Sequence, residues 1–188
     1  ATYTENEPRI PQLGMMDWAI GSNLYLNSEP TSNEGVAGNI TYGSYSWGLN
    51  GFSNATIYGD SSVTRYRYGA TVLQNTEYTL SCYVIMDDLT EPNVGNNTAS
   101  GDFCIIIGGA QTTLNATSVN VSGDIWRISR TIITGTTNLA SNGITKYSSQ
   151  SDKGFKVVGW QIEQSATVGN YILTDEAAAI DVTTIQNP

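Results

Sequence analysis

The sequence predicts an all-β chain, an antiparallel sandwich of two sheets built from about ten strands. Three observations predict it. Several runs alternate apolar and polar residues with the period of two that lays one face of a strand on a core. Charged residues make up only 13% of the chain, against about 25% in an ordinary globular domain, and Thr, Ser, Asn and Gly fill the difference, a composition suited to short strands and many turns. The only segment that reads as a helix, residues 175–180, is too short to stand alone.

In chain order, residues 22–26, 55–58 and 63–68 are weaker strand candidates. The clearest strand is Glu77–Met86, where Tyr78, Leu80, Cys82, Val84 and Met86 share one face and Thr79, Ser81, Tyr83 and Ile85 the other. Residues 103–107 are a short apolar run suited to a central strand, and 117–121 a weaker candidate. Ile125–Ile133 alternates again, with Trp126, Ile128 and Ile132 inward and Arg127 and Ser129 outward. A weak strand at 144–147, a strong apolar one at 155–162 and a weak one at 170–173 complete the set. Ser-Asn-Glu-Gly at 32–35, the Glu-Pro-Asn-Val-Gly-Asn-Asn cluster at 91–97 and Ser-Gly-Asp at 122–124 supply turns between them. A jelly roll is the commonest sandwich of this size. Residues 1–21 read as an extended N-terminal arm, 22–176 as the sandwich and 177–188 as a tail or linker.

With 188 residues, one domain with a sizeable core is expected. The formal net charge is −9, and only eight Lys and Arg are scattered along the chain. A nucleic-acid footprint needs clustered cations, so nucleic acid is not an expected partner. No apolar run approaches the roughly 20 residues that span a bilayer, so membrane insertion is not expected. No charged and then apolar leader opens the sequence, so no signal peptide is read. Cys82 and Cys104 sit in strand-like runs; buried free thiols are the simpler reading, and pairing is left open. The five Asn-x-Ser/Thr sequons are expected by chance in a chain so rich in Asn and Thr.

The chain contains no histidine, which removes the Ser-His-Asp triad and the Cys-His pair. Its 17 acidic residues offer carboxylate pairs, but none lies in a recognisable motif beside an aromatic cleft signal. The chain is therefore read as non-enzymatic, with no catalytic residue. Asp87, Asp88, Glu91 and Asp102 bracket a strand end and the start of the next strand, so calcium is the one cofactor considered; without the spacing of a calcium loop, solvated turn carboxylates are the simpler reading. Eleven Tyr is a high count for one domain. Tyr45, Trp47 and Tyr66 fall in or after a Gly/Ser/Asn-rich stretch and are the candidate glycan-contacting residues, with packing in the sandwich or a subunit interface as the alternative.

Several stretches also carry a resemblance. Gly159-Trp-Gln-Ile-Glu163, followed by Ala166-Thr-Val-Gly-Asn-Tyr-Ile-Leu-Thr174, resembles the G-A-Q-L-E … A-T-S-Y-I-P-T signature that closes a module of phage tail-fibre and virion structural proteins. Gly123-Asp-Ile-Trp-Arg-Ile-Ser129 resembles its G-x-W-Y-R-V-S strand and Thr76-Glu-Tyr-Thr-Leu-Ser81 its T-Y-T-L-S strand. Pro8-Arg-Ile10, Asn23-Leu24 and Asn27-Ser-Glu29 resemble its opening. Trp160 stands where that pattern has Ala, and Leu173 where it has Pro. The resemblance implies a jelly roll similar to carbohydrate-binding modules and a virion location. The implied partners are other virion proteins, two further copies in a homotrimer, and host-surface polysaccharide. Trp126, Arg127, Gln161, Glu163 and Tyr171 are its structural signature. Gln161 and Glu163 alternate with Trp160 and Ile162, so with the apolar pair inward the polar pair is free to bond the backbone of a neighbouring loop. Two other lives fit the same fold: a carbohydrate-binding module of a secreted bacterial glycan-degrading enzyme, and a capsid-decorating protein that docks through residues 3–18.

Overall fold

The computed structural model describes residues 22–32, 36–60, 64–68, 70–95, 103–108, 116–136, 140–146, 153–175 and 179–180. Among them every regular element is a strand: β1 (Ser22–Asn23), β2 (Val36–Gly38), β3 (Ile40–Ser44), β4 (Ala55–Gly59), β5 (Thr64–Tyr68), β6 (Glu77–Met86), β7 (Val94–Gly95), β8 (Phe103–Ile106), β9 (Ala116–Ser122), β10 (Ile125–Ile133), β11 (Asn142–Lys146), β12 (Phe155–Glu163) and β13 (Ala179–Ile180). Six form an antiparallel sheet in the order β3-β4-β12-β6-β10-β9, and five a second sheet, β2-β5-β11-β8-β7; β1 and β13 make a separate antiparallel pair. The chain is an all-β sandwich.

The core lies between the two sheets. Tyr78, Leu80, Cys82, Val84 and Met86 of β6 meet Phe103 and Ile105 of β8, Tyr66 of β5 and Ile144 of β11, joined by Ile128 of β10 and Phe155, Val157, Trp160 and Ile162 of β12. β6 is central in its sheet and buried on both faces along nearly its whole length, because its even residues fill the core while Tyr83 and Ile85 carry a second, smaller cluster on the outer face. Arg130 lies on the core face of β10, yet is 1% exposed. Its guanidinium donates across the sandwich to the carbonyl of Ile105, which gives the buried charge a partner and ties the sheets together.

β12 changes phase midway. Val158 pairs with Tyr83 and the next pair is Gln161 with Ser81, so β12 spends one residue more than β6 over this span, a β-bulge. Gly159 takes φ +67° there, a conformation that Gly alone adopts freely. Phe155 and Val157 face the core before the bulge, and Trp160 and Ile162 face it afterwards, which sends Val158, Gln161 and Glu163 outward.

Several sequence expectations are corrected. Ala179 and Ile180, expected in a short helix and in the C-terminal tail, pair as a strand with Asn23 and Ser22; cross-strand bonds to a segment distant in sequence override the helix preference of Ala. Residues 170–173, expected as a strand, are irregular, because side chains rather than a neighbouring strand satisfy their backbone. β7 joins β8 in parallel, whereas only antiparallel pairs were expected. As the simpler sequence reading had it, Cys82 and Cys104 are both buried and form no disulfide; Cys82 faces the core from β6, while Cys104 alternates with the core-facing Phe103 and Ile105 on the other sheet. The arm at 1–21, its docking segment 3–18 and Asp102 lie outside the described residues.

Candidate functional site

The outer face of the six-stranded sheet carries an open cleft of about 450 Å³. Its floor is aromatic, and the β12 bulge lies beneath it. The rings of Phe52, Tyr83 and Tyr171 close over Gly159, where a Cβ would sit 2.6 Å from the Phe52 ring and 2.9 Å from that of Tyr83. Phe52 and Tyr171 stack with centroids 4.3 Å apart and planes 13° apart, and Tyr83 meets Phe52 edge-on at 4.9 Å. Both are favoured aromatic geometries. Leu49, Val121 and Leu173 form the rim; Val121 and Leu173 are 42% and 49% exposed.

Behind these rings, polar side chains hold the two loops that build the walls. Tyr171 donates its hydroxyl to Glu29 Oε1 at 2.9 Å, and Ser28 Oγ lies 2.9 Å from the same hydroxyl. Glu29 Oε2 accepts the Ser53 amide at 2.8 Å and also the Ser53 hydroxyl. One carboxylate thus clamps the loop carrying Phe52 to the loop carrying Tyr171. Burial pushes the Glu29 carboxyl above the usual carboxylate range, against the lowering effect of its Ser53 and Tyr171 hydrogen bonds.

The 169–174 segment is bonded along its length by side chains. Gly169 donates its amide to Glu163 Oε2 at 3.0 Å, while its carbonyl accepts Arg127 Nη1 at 2.7 Å. Gln161 donates to the Asn170 carbonyl and accepts the Ile172 amide, both at 2.8 Å. Asn23 donates to the carbonyls of Ile172 and Trp160, and its Oδ1 accepts the Ile162 amide at 3.1 Å. The Thr174 amide donates to Ser28 Oγ at 2.9 Å. Arg127 also donates to Ser81 Oγ, and its guanidinium lies 5.1 Å over the Tyr83 ring. Glu163 is raised above its ordinary range by burial. Trp126, the remaining signature residue, is half-buried on β10 opposite Val84.

The sequence-assigned glycan residues do not share a surface. Tyr66 is 1% exposed and packs 4.6 Å from Trp160 in the core, so neither ring face is open to a sugar. Trp47 is 3% exposed and donates its indole N–H to Thr56 Oγ1. Tyr45 alone reaches solvent, edge-on to Trp47 at 5.5 Å and under Lys156 Nζ. The aromatic cleft uses Phe52, Tyr83 and Tyr171 instead. The signal for Tyr83 was its place on the β6 face opposite the core, where a large ring needs a cover of its own.

The carboxylates considered for calcium are drawn to separate partners. Asp87 pairs with Lys156 at 2.8 Å and Asp88 with Lys153 at 2.7 Å. Asp88 also accepts from Thr90, and the Lys153 bond above all brings its carboxyl down to about 2. Glu91 accepts the Ser118 hydroxyl. Among the described residues no three acidic or soft side chains gather as a metal site.

No protein-family model matches the chain, and a search of curated proteins returns no significant match.

Proposed function

We propose that this chain is a non-enzymatic structural and adhesion module of a phage virion appendage, a tail or head fibre, with a jelly-roll arrangement similar to that of carbohydrate-binding modules. In this reading it joins other virion proteins, assembles with two further copies and touches host-surface polysaccharide.

The observation that supports it is the meeting of the two ends of the resemblance in one network. Asn23, Ser28 and Glu29 of the opening contact Trp160, Ile162, Tyr171, Ile172 and Thr174 of the closing stretch, and Gln161 and Glu163 bond the loop between. Polar groups that could otherwise serve chemistry are occupied in holding backbone. Among the described residues, the cleft is lined by apolar and aromatic side chains, Asn50 and Gly51, with no carboxylate, thiol or amine on its wall. The acidic charge of −9 favours solubility and disfavours nucleic acid.

The test is to incubate the chain with a panel of extracted bacterial surface polysaccharides and measure both retention and new reducing ends. Retention on at least one polysaccharide with no reducing ends released is the expected result. Release of reducing ends contradicts the non-enzymatic reading, and no retention contradicts the adhesive one. The cleft also favours a second reading, a binding module of a secreted glycan-degrading enzyme, which predicts a monomer.

A further inference from the structure

We propose that the Phe52–Tyr83–Tyr171 cleft binds a neutral pyranose bearing a methyl group, either an N-acetyl substituent or a 6-deoxy carbon. The proposal rests on the adhesive reading above and adds to it the place and the chemistry of the ligand.

Three features of the cleft select this class. The first is its mixed wall. Leu49, Val121 and Leu173 present aliphatic carbon around an aromatic floor, so part of the ligand must be apolar, as a methyl group is. The second is an unused polar group. Tyr83 is 7% exposed, lines the cleft, and its hydroxyl has no hydrogen-bond partner among the described residues. The hydroxyl is not one of the enclosed polar atoms, so it opens to the solvent of the cleft, where a sugar hydroxyl or acetamido group can take the place of water. Asn50, exposed on the wall, adds a donor and an acceptor.

The third feature is charge. Among the described residues no cation lines the cleft, and the Glu29 carboxylate stands directly behind Tyr171, bonded to its hydroxyl. The chain as a whole carries −9. A uronic acid or sialic acid would bring its carboxylate toward that field with nothing to pair it, so the neutral sugars are selected and the acidic ones rejected. Arg127 does not line the cleft: its guanidinium bonds the Gly169 carbonyl and Ser81 Oγ and is covered by the Tyr83 ring.

The test is a methyl-detected NMR titration of the whole chain with three probes: methyl N-acetylglucosaminide, methyl rhamnoside and glucuronate. Saturable shifts confined to the methyls of Leu49, Val121 and Leu173 are expected with at least one of the first two probes and absent with glucuronate. Tyr83→Phe keeps the ring and removes one net hydrogen bond, so affinity falls about fivefold. Leu173→Asp changes only a half-exposed rim position, so the fold is retained and neutral-sugar binding is lost. Shifts that map elsewhere, equal response to glucuronate, or no response to either neutral probe each overturn the proposal. A chain that is retained on a surface polysaccharide but gives no cleft shifts sinks this site alone; a chain retained on none sinks the adhesive reading beneath it.

Discussion

Glu29 is a buried carboxylate whose two oxygens accept from Tyr171 and Ser53 with no cation paired to it among the described residues. Its folded-state pKa is raised, and so is that of Glu163, in both cases chiefly by burial. An acid whose pKa rises on folding contributes stability that is fully present below the ordinary carboxylate value and is lost as pH climbs through the raised one. Asp88 works the other way, since its lowered pKa contributes stability that is lost only as pH falls toward about 2. Over the intervening range the two glutamates set the direction. The melting temperature is expected to be higher at about pH 4.5 than at pH 7, and Glu29→Gln, which retains an acceptor for Ser53, flattens that dependence. A melting temperature that drops steadily between pH 7 and 5 in the parent chain contradicts this. Glu29→Ala leaves the Ser53 amide without its acceptor and the Tyr171 hydroxyl with Ser28 alone, and is expected to cost about 1–3 kcal/mol in denaturant unfolding.

At the scale of the element, β12 explains most. Its bulge turns a run of apolar residues into a strand with Trp160 and Ile162 in the core and Gln161 and Glu163 on the loop side. Gly159→Ala forces a left-handed φ on a residue with a Cβ and drives that Cβ into Phe52 and Tyr83. A loss of about 2 kcal/mol or more is expected, together with loosening of the cleft rings; unchanged stability contradicts the assignment of the bulge. Trp160→Ala restores the Ala of the resembled signature but empties a site filled between Tyr25 and Tyr66, and is expected to cost about 3–5 kcal/mol. The bounds of β6 and β10 were legible in the sequence because nine or ten residues of unbroken strand pattern leave few alternatives. The short edge strands were not. β3, with its largely exposed Ile40–Ser44, has no core pattern to display, and the pairing of Ala179 and Ile180 depends on Asn23 and Ser22 at the other end of the described chain. The irregular 170–173 segment was misread as a strand for a related reason: Gln161, Asn23 and Ser28 stand in for a strand neighbour, and sequence periodicity does not show which side chain will do so.

Across the whole molecule, the two sheets enclose one main core, and the second apolar cluster lies outside it under the 45–54 and 164–174 loops. That second cluster is where aromatic content and sequence position parted company. The Gly/Ser/Asn-rich context singled out Tyr45, Trp47 and Tyr66, but burial of Tyr66 and Trp47 leaves the open aromatic surface to residues from three separate segments, Phe52, Tyr83 and Tyr171. Proximity of that kind is created by the fold and carries no local pattern. The acidic charge acts at this scale as well, since copies of a chain at −9 repel one another and associate only where apolar contact outweighs the repulsion. The exposed Val119 and Ile133, outside the cleft, offer such contact. Light scattering coupled to size exclusion on the purified chain tests the appendage reading most directly. A mass near three times 20.2 kDa is the result this account predicts; a clean monomer across the concentration range would contradict it.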